Sequence, residues 1–331
     1  GYDAYFVALQ ALELAGSTDP AAVNEALWNV DYTGVSGQIT FNEIGDANRD
    51  SAYIKTGDGC DNRCAYCAIP LIRGPYRSRS RQAILDEMRL LAGQGVKEHI
   101  LIAQDTTRYG IDTGDSLESL MAEAAGIEGV EWLRALYMYP DEVNQSLLDA
   151  MAARDNICKY LDLPLQHAAP GLLRRMNRRG TVAHTKEMLR AARERGFCLR
   201  TTFIVGFPGE TEADFEELMA FTEEMAFDRM GAFTFSPEED TPAASMPDQI
   251  PEEIKQERLD RLMALQAKIS LERNRLRVGR EEKVLITGRQ GKRYTARSPC
   301  EAPDADGEIL LESALPLTEG QFVRARNTTA G

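Results

Sequence analysis

The sequence predicts a parallel α/β domain followed by a small all-β module, with a short α+β segment in front. Three observations carry this. From Ala52 to about Ser236, short β-rich runs alternate with amphipathic helical stretches. A long charged helical pattern then runs from Pro251 to Val278, with Leu259, Leu262, Met263 and Ile269 as its apolar seam. After Gly279 the pattern breaks into short β-rich pieces, Lys283–Thr287, Tyr294–Arg297, Glu308–Leu311 and Gln321–Ala325, which suggest a small five-stranded barrel. A chain of 331 residues has the length for two or three domains and a large core.

In the front segment, residues 1–30 read as helix, turn, helix. Phe6, Leu9, Leu12 and Leu14 offer an apolar side, Gly16 stops the first helix, and Ser17 to Pro20 start the second. Tyr32 to Phe41 reads as a strand pair with turn glycines at Gly34 and Gly37. Residues 45–50 form a polar turn; their Asp-x-Asn-x-Asp spacing lacks the glycine and glutamate of a calcium loop.

In the α/β region the expected strands are Ala52–Thr56, His99–Ala103, Trp132–Met138, Tyr160–Leu163, Leu199–Val205 and Gly231–Phe235. Helices are expected over Arg81–Ala92, from a Thr181 cap to Arg195, and over Glu212–Met225. Parallel strand–helix folds place ligands at the C-terminal ends of their strands.

The composition, 43% hydrophobic and 27% charged, is that of an ordinary globular protein. No apolar run approaches the roughly 20 residues of a membrane span, and the first residues lack the basic start of a signal peptide. Net charge is −14, of which residues 1–52, with eight acids and one base, carry −7. Such a chain is poorly suited to gripping nucleic acid by its phosphates. It suits a basic protein partner better.

The chemistry concentrates in Gly59-Cys60-Asp61-Asn62-Arg63-Cys64-Ala65-Tyr66-Cys67, a C-x3-C-x2-C run just after the first expected strand. Three thiolates on one loop can reach three corners of a cubane iron–sulfur cluster. With no fourth local cysteine, one iron stays open. S-adenosylmethionine (SAM) can chelate that iron through its amino and carboxylate groups, and one electron then cleaves the sulfonium to a 5′-deoxyadenosyl radical. The alternatives are a zinc site, which needs a fourth ligand such as His99 or His167, and a disulfide knot. Six cysteines in 331 residues is too few for the latter. An unpaired cysteine set with a labile cluster points to the reducing cytoplasm. Cys158, Cys198 and Cys300 are scattered along the chain and read as structural thiols.

Other polar groups sit after the expected strands. Gln166 and His167 end the fourth; Gln166 can hydrogen-bond the amino-acid part of SAM or order a substrate, and His167 reads as a substrate contact, a helix cap or a core histidine. Gly206 and Gly209 follow the fifth, where backbone can approach an adenosine closely, or simply turn. Arg200 can pair with the SAM carboxylate or with a structural acid. Arg73, Arg77, Arg79 and Arg81 form a basic run, with Arg73 nearest the cysteines and the candidate for a substrate contact.

Residues 52–82 (AYIKTGDGCDNRCAYCAIPLIRGPYRSRSRQ) resemble the core of the radical-SAM methylthiotransferases, and the resemblance extends to about residue 326. It implies an open six-stranded (βα)6 partial barrel followed by an OB-like TRAM barrel, whose last strand, ending in RARNTTAG, departs from the expected tail. The domains expected are 52–250, a connecting helix 251–278, and 279–331. Gln104, in Gln-Asp-Thr-Thr-Arg-Tyr-Gly, and the Leu-Gln-His end of the fourth strand resemble the ribosomal-protein branch of this family. Gly206-Phe207-Pro208-Gly209 and Phe235-Ser236-Pro237-Glu238 match its later strand ends. Tyr66, Gln104, Gln166, Arg200, Gly206 and Gly209 are thereby placed with the cofactor. The branch implies methylthiolation of an aspartate on ribosomal protein uS12, with uS12 or the small subunit and a reducing electron donor as partners. A tRNA adenosine methylthiotransferase is the alternative within the family.

The family's N-terminal domain holds a second 4Fe–4S cluster that donates sulfur, whereas residues 1–59 contain no cysteine. Residues 1–55 instead resemble the C-terminal part of periplasmic branched-chain amino-acid-binding proteins, and Ser51–Lys55 fits both families. The expectation is a hybrid chain with one cluster, able to cleave SAM but impaired in methylthio transfer. A non-catalytic hybrid or solute-binding fragment is the reading from another class.

Overall fold

The computed structural model describes residues 2–27, 29–34, 37–40 and 50–330. At the front, α1 (Tyr2–Ala15) and α2 (Pro20–Leu27) pack beside a hairpin of β1 (Asp31–Gly34) and β2 (Gly37–Thr40). Asp19 opens α2 by accepting from the backbone N–H groups of Ala21 and Ala22. Val7, Ala11 and Val30 form a small core with Val23, Leu27 and Tyr32. Thus α1 turns Val7 and Ala11 inward, while Leu9 and Leu14 are exposed. Phe41 and positions 45–49 of the expected polar turn lie outside the described residues.

The main domain follows. β3 (Ser51–Lys55) leads through β4 (Gly57–Asp58), the cysteine loop and α3 (Ile69–Arg73) to β5 (Arg77–Ser78), which pairs back onto β4. Next come α4 (Arg81–Gly93), β6 (Glu98–Ile102), α5 (Leu117–Ala124), β7 (Trp132–Ala135), α6 (Gln145–Ala152) and β8 (Tyr160–Gln166). After them come α7 (Pro170–Arg175), α8 (Val182–Glu194), β9 (Cys198–Val205), α9 (Glu212–Met225) and β10 (Arg229–Thr234). Two parallel sheets, β3-β6-β7 and β8-β9-β10, meet where Leu133 bridges Ile157 and accepts from the Cys158 N–H at 2.9 Å. The result is the expected open barrel of six strands.

Helix starts follow the sequence closely. Ser80 caps α4, Thr181 caps α8, and Thr211 with Asp214 forms a capping box on α9. The faces these caps orient, such as Ile84, Leu85 and Met88 on α4 and Phe215 and Leu218 on α9, join one large core with the strands. The connecting helix α10 (Glu252–Arg275) differs from expectation. Its inward line is Lys255, Arg258, Leu262 and Gln266, and Met263 is exposed. This line is polar because the barrel leaves carbonyl and carboxylate groups to satisfy there: Gln266 donates to Phe227 O at 2.9 Å and Lys255 to Phe235 O at 2.8 Å.

The last module is an antiparallel sheet of β11 (Glu281–Gln290), β12 (Arg293–Arg297), β13 (Ile309–Leu311) and β14 (Phe322–Arg326), in the order β13-β12-β11-β14. Among the described residues it has four strands rather than five. One long strand, β11, shifts register between Ile286 and Gly288 and so serves two partners, β14 with its first half and β12 with its second. The final strand is formed over all of Phe322–Arg326.

Ions clamp this module to the base of the barrel. Glu98 is fully buried and accepts from Arg134 Nε at 2.9 Å, Arg297 Nη2 at 2.6 Å and Ser51 Oγ at 3.0 Å. Cys158, Cys198 and Cys300, distant in sequence, meet in the apolar layer beside these ions, with Cys198 Sγ 3.5 Å from Cys300 O. Glu301, whose side chain is 2% exposed, accepts from Arg229 and Arg277, each at 2.6 Å, and from Ser298 Oγ at 2.6 Å. Burial alone would raise its carboxyl, but Arg277 and Arg229 hold it down at about 2. A depressed carboxylate stabilises the fold above its unfolded value and loses that contribution as pH falls through the folded one. Going from about pH 6 to about pH 3 therefore removes about 2 kcal/mol of stability through this group. Urea unfolding of E301Q across that range is expected to lack this part of the pH dependence.

Candidate functional site

The cysteine loop leaves the barrel at the C-terminal end of β3. Gly59 begins it with φ +78°, and a Cβ there would overlap the carbonyl oxygens of Pro75 and Gly74. Cys60 N–H donates to Gly74 O at 3.1 Å, Tyr76 N–H donates to Asp61 Oδ1 at 3.1 Å, and Cys67 N–H turns back onto Cys64 O at 3.1 Å. Ala65 O accepts from Ala243 N–H at 2.9 Å. Asn62 Nδ2 donates to Asp105 Oδ2 at 2.7 Å, joining the loop to the segment after β6. The chain is thus held from several sides, and none of its sulfurs is tied up in a disulfide.

All six cysteines are free thiols, with Cys60 and Cys64 buried and Cys67 half-buried. Burial pushes the Cys60 and Cys67 thiols above their ordinary range, so a bound cation is needed to keep them as thiolates. The three cysteines line one cavity of about 370 Å³ at the barrel mouth. Tyr66 from the loop, Gln104 after β6 and Gln166 at the end of β8 line it too. Gln104 Oε1 is buried there and has no hydrogen-bond partner among the described residues. Such an orphaned acceptor in a cavity wall invites a ligand donor. Gln166 at φ +73° and Tyr137 at φ +60° occupy the left-handed region at this rim, a local strain of about 1–3 kcal/mol each that folds tolerate mainly at functional sites. Tyr137 is held there by its N–H to Asp162 Oδ2 at 2.9 Å and its C=O from Thr106 N–H at 3.0 Å.

Among the described residues, no three His, Cys, Asp or Glu side chains converge on a single-ion site. Neither histidine suggested as a zinc ligand lines the cavity. His99 is buried in β6 with Nε2 3.2 Å from Val96 O. Three thiols around a cavity of this size suit a multi-metal body better than one tetrahedral ion.

Several other expected contacts lie elsewhere. His167 is buried and does not line the cavity; its Nδ1 accepts from Ala169 N–H at 3.0 Å and its Nε2 lies 3.6 Å from Glu210 Oε2. Burial drives its pKa down to about 3, so it is a neutral core histidine. Glu210 in turn accepts from the N–H groups of Gly206 at 2.7 Å and Phe207 at 3.3 Å and from Arg258 at 2.8 Å, shaping the loop after β9. Gly206 and Gly209 do not line the cavity. Both have positive φ, and a Cβ would overlap Lys255 at the first and Arg175 at the second. The left-handed backbone favours glycine at both, and at Gly206 packing against the Lys255 stem adds to it. Arg200 finds its carboxylate within the protein: Asp162 at 2.8 Å and Asp306 at 3.5 Å. Arg73 is 47% exposed and pairs with Asp58 at 3.5 Å, away from the cavity wall. Conversely, Asn62, Tyr137, Tyr139 and Arg178 line the cavity without having been singled out. Only Asn62, inside the cysteine run, carried a sequence signal.

Family comparison agrees with this geometry. The radical SAM superfamily model matches residues 54–222 and the TRAM domain model matches 278–330. The chain is 47% identical over 315 residues to the ribosomal protein uS12 methylthiotransferase RimO of Desulforudis audaxviator, covering 94% of this chain and 70% of the relative. It is 49% identical over 283 residues to that of Desulforamulus reducens, covering 83% and 64%. The chain thus spans about two-thirds of the length of these relatives, and the first alignment includes part of residues 1–51. Among solved structures, the radical S-adenosylmethionine methyltransferase TsrM of Kitasatospora setae has TM-score 0.53 at 21% identity, covering 66% of this chain and 40% of that one, a likeness of fold. With its matched radical SAM and TRAM regions and these relatives, the chain belongs to the uS12 methylthiotransferase family of the radical SAM superfamily.

Proposed function

We propose that Cys60, Cys64 and Cys67 hold one 4Fe–4S cluster, that SAM binds its open iron within the cavity, and that the chain serves β-methylthiolation of an aspartate on ribosomal protein uS12. The observation that carries this is that Cys60, Cys64 and Cys67 all line one cavity, which Gln104 and Gln166 line as well. Held by Cys60, Cys64 and Cys67, the cluster would supply the one-electron chemistry for reductive cleavage of SAM and hydrogen abstraction from the substrate.

The chain's own residues prepare that event. Gln104 and Gln166 offer amide groups to the polar end of SAM. Tyr66, whose burial keeps its phenol protonated, offers a hydroxyl donor. The names of the relatives and the net charge of −14 favour a protein substrate over tRNA. An external electron donor is required. Among the described residues no helix is long and apolar enough to cross a membrane, and six free thiols favour a reducing compartment such as the cytoplasm.

The sulfur-inserting half of the reaction is assigned elsewhere. Cys158, Cys198 and Cys300 lie at the base of the barrel, where the strands begin, and the cavity lies where they end. This chain by itself is therefore expected to cleave SAM without completing methylthio transfer, and no part in the reaction is assigned to residues 1–51.

Anaerobic reconstitution should give about four irons per chain. C60A, C64A and C67A should each lose the iron and the 5′-deoxyadenosine formed from SAM on reduction, while their apo-forms keep wild-type circular dichroism. Wild-type uptake of about eight irons, or wild-type cleavage by any of the three variants, would contradict the assignment. Q104A should keep its iron but bind SAM roughly fivefold more weakly, the loss of about one hydrogen bond, as read by equilibrium binding.

A further inference from the structure

Four consecutive residues after α7 meet four consecutive residues of the cysteine loop. Met176 O accepts from Ala65 N–H at 2.9 Å, and Asn177 Nδ2 donates to Arg63 O at 2.6 Å. Arg178 Nη1 lies 3.8 Å from Cys64 Sγ, within hydrogen-bond reach of a sulfur, and Arg179 Nη2 donates to Asn62 Oδ1 at 2.8 Å. Asn177, at φ +54°, turns the strip's backbone at its centre. The strip therefore clasps residues 62–65 of the loop.

Arg178 is unusual among these contacts. Its Nη2 donates to Pro164 O at 2.6 Å and its guanidinium lies over the Tyr139 ring, 4.1 Å from the centroid, so its direction is fixed. Yet among the described residues it forms no ion pair. Other enclosed arginines meet a carboxylate closely: Arg134 at 2.9 Å, Arg258 at 2.8 Å and Arg297 at 2.6 Å. A half-buried cation without a counter-charge is costly unless one is supplied. Of the groups that it touches, the Cys64 sulfur is the one that the cluster would hold as a thiolate.

We propose that Arg178 is the electrostatic partner of the Cys64 thiolate and, through that sulfur, raises the reduction potential of the cluster. This rests on the cluster assignment above. An electron arriving from an external reductant adds negative charge that spreads over the cluster and its sulfurs. A fixed cationic N–H donor at one sulfur stabilises the reduced form more than the oxidised one. Arg178 is thus a positioning and tuning residue, and its effect is on the potential as well as on turnover.

The test uses the full chain, reconstituted anaerobically, as wild type, R178M and R178K. Iron per chain is counted, and the potential is read by electron paramagnetic resonance during dithionite titration. R178M is expected to retain its iron and shift to a more negative potential by about 59 mV, a tenfold loss in the one-electron equilibrium. R178K, which keeps the charge but not the forked donor, should fall between. An iron-loaded R178M at the wild-type potential would overturn the role. If R178M loses its iron, R178K decides: a more negative potential supports the role and a wild-type potential overturns it. A wild-type chain that takes up no iron would overturn the cluster assignment and this role with it.

Discussion

The constraint on which the structure turns is the need to hold three thiols side by side, partly out of water, on a loop only eight residues long. Such a loop buries too little apolar surface to order itself. Its support is borrowed. Gly74 and Tyr76 hold one end, Ala243 and Met176 hold Ala65, and Asp105 holds Asn62. These contacts come from segments at the C-terminal ends of several strands, which explains why the site needs a whole barrel behind it. The barrel supplies position; the loop supplies sulfur.

The two ends of the barrel divide the charged residues between them. At the base, cations and carboxylates are matched within the protein: Glu98 with Arg134 and Arg297, Glu301 with Arg229 and Arg277, Asp162 with Arg200. These networks fasten the TRAM module and leave little charge unpaired. At the mouth the matching is incomplete. Among the described residues, Gln104 Oε1 has no partner and Arg178 meets no carboxylate, and Tyr137 and Gln166 sit in strained backbone. An unmet polar group and strained backbone at a cavity rim are features that a bound ligand can relieve.

Much of this was legible in the sequence. All six barrel strands fall where alternating β-rich runs put them, and α9 occupies the expected Glu212–Met225, because caps such as Thr211 and apolar periodicity are local signals. The cysteine spacing was equally local. What escaped is what depends on distant parts meeting. Arg178 and Tyr139 join the site only once the barrel closes, and the spacing around them carries no pattern. Arg200, Gly206 and His167 were plausible ligand contacts by position along a strand, but each is used by a neighbour: Asp162, Lys255 and Ala169. The seam of α10 is partly apolar as expected, with Leu262 buried and Leu259 packed on the core. Met263, however, is exposed, and Lys255 and Gln266 turn inward to carbonyls that the sequence does not reveal. Cys158, Cys198 and Cys300 show the reverse, three residues far apart in sequence that meet in one layer.

The central claim is that the fourth corner of the cluster is left open for SAM. Electron–nuclear double resonance on the reduced, reconstituted chain tests it most directly, using SAM labelled with nitrogen-15 at the amino group and oxygen-17 at the carboxylate. Hyperfine coupling to both labels is expected if Cys60, Cys64 and Cys67 hold three irons and SAM chelates the fourth. A cluster signal with coupling to neither label would contradict the account.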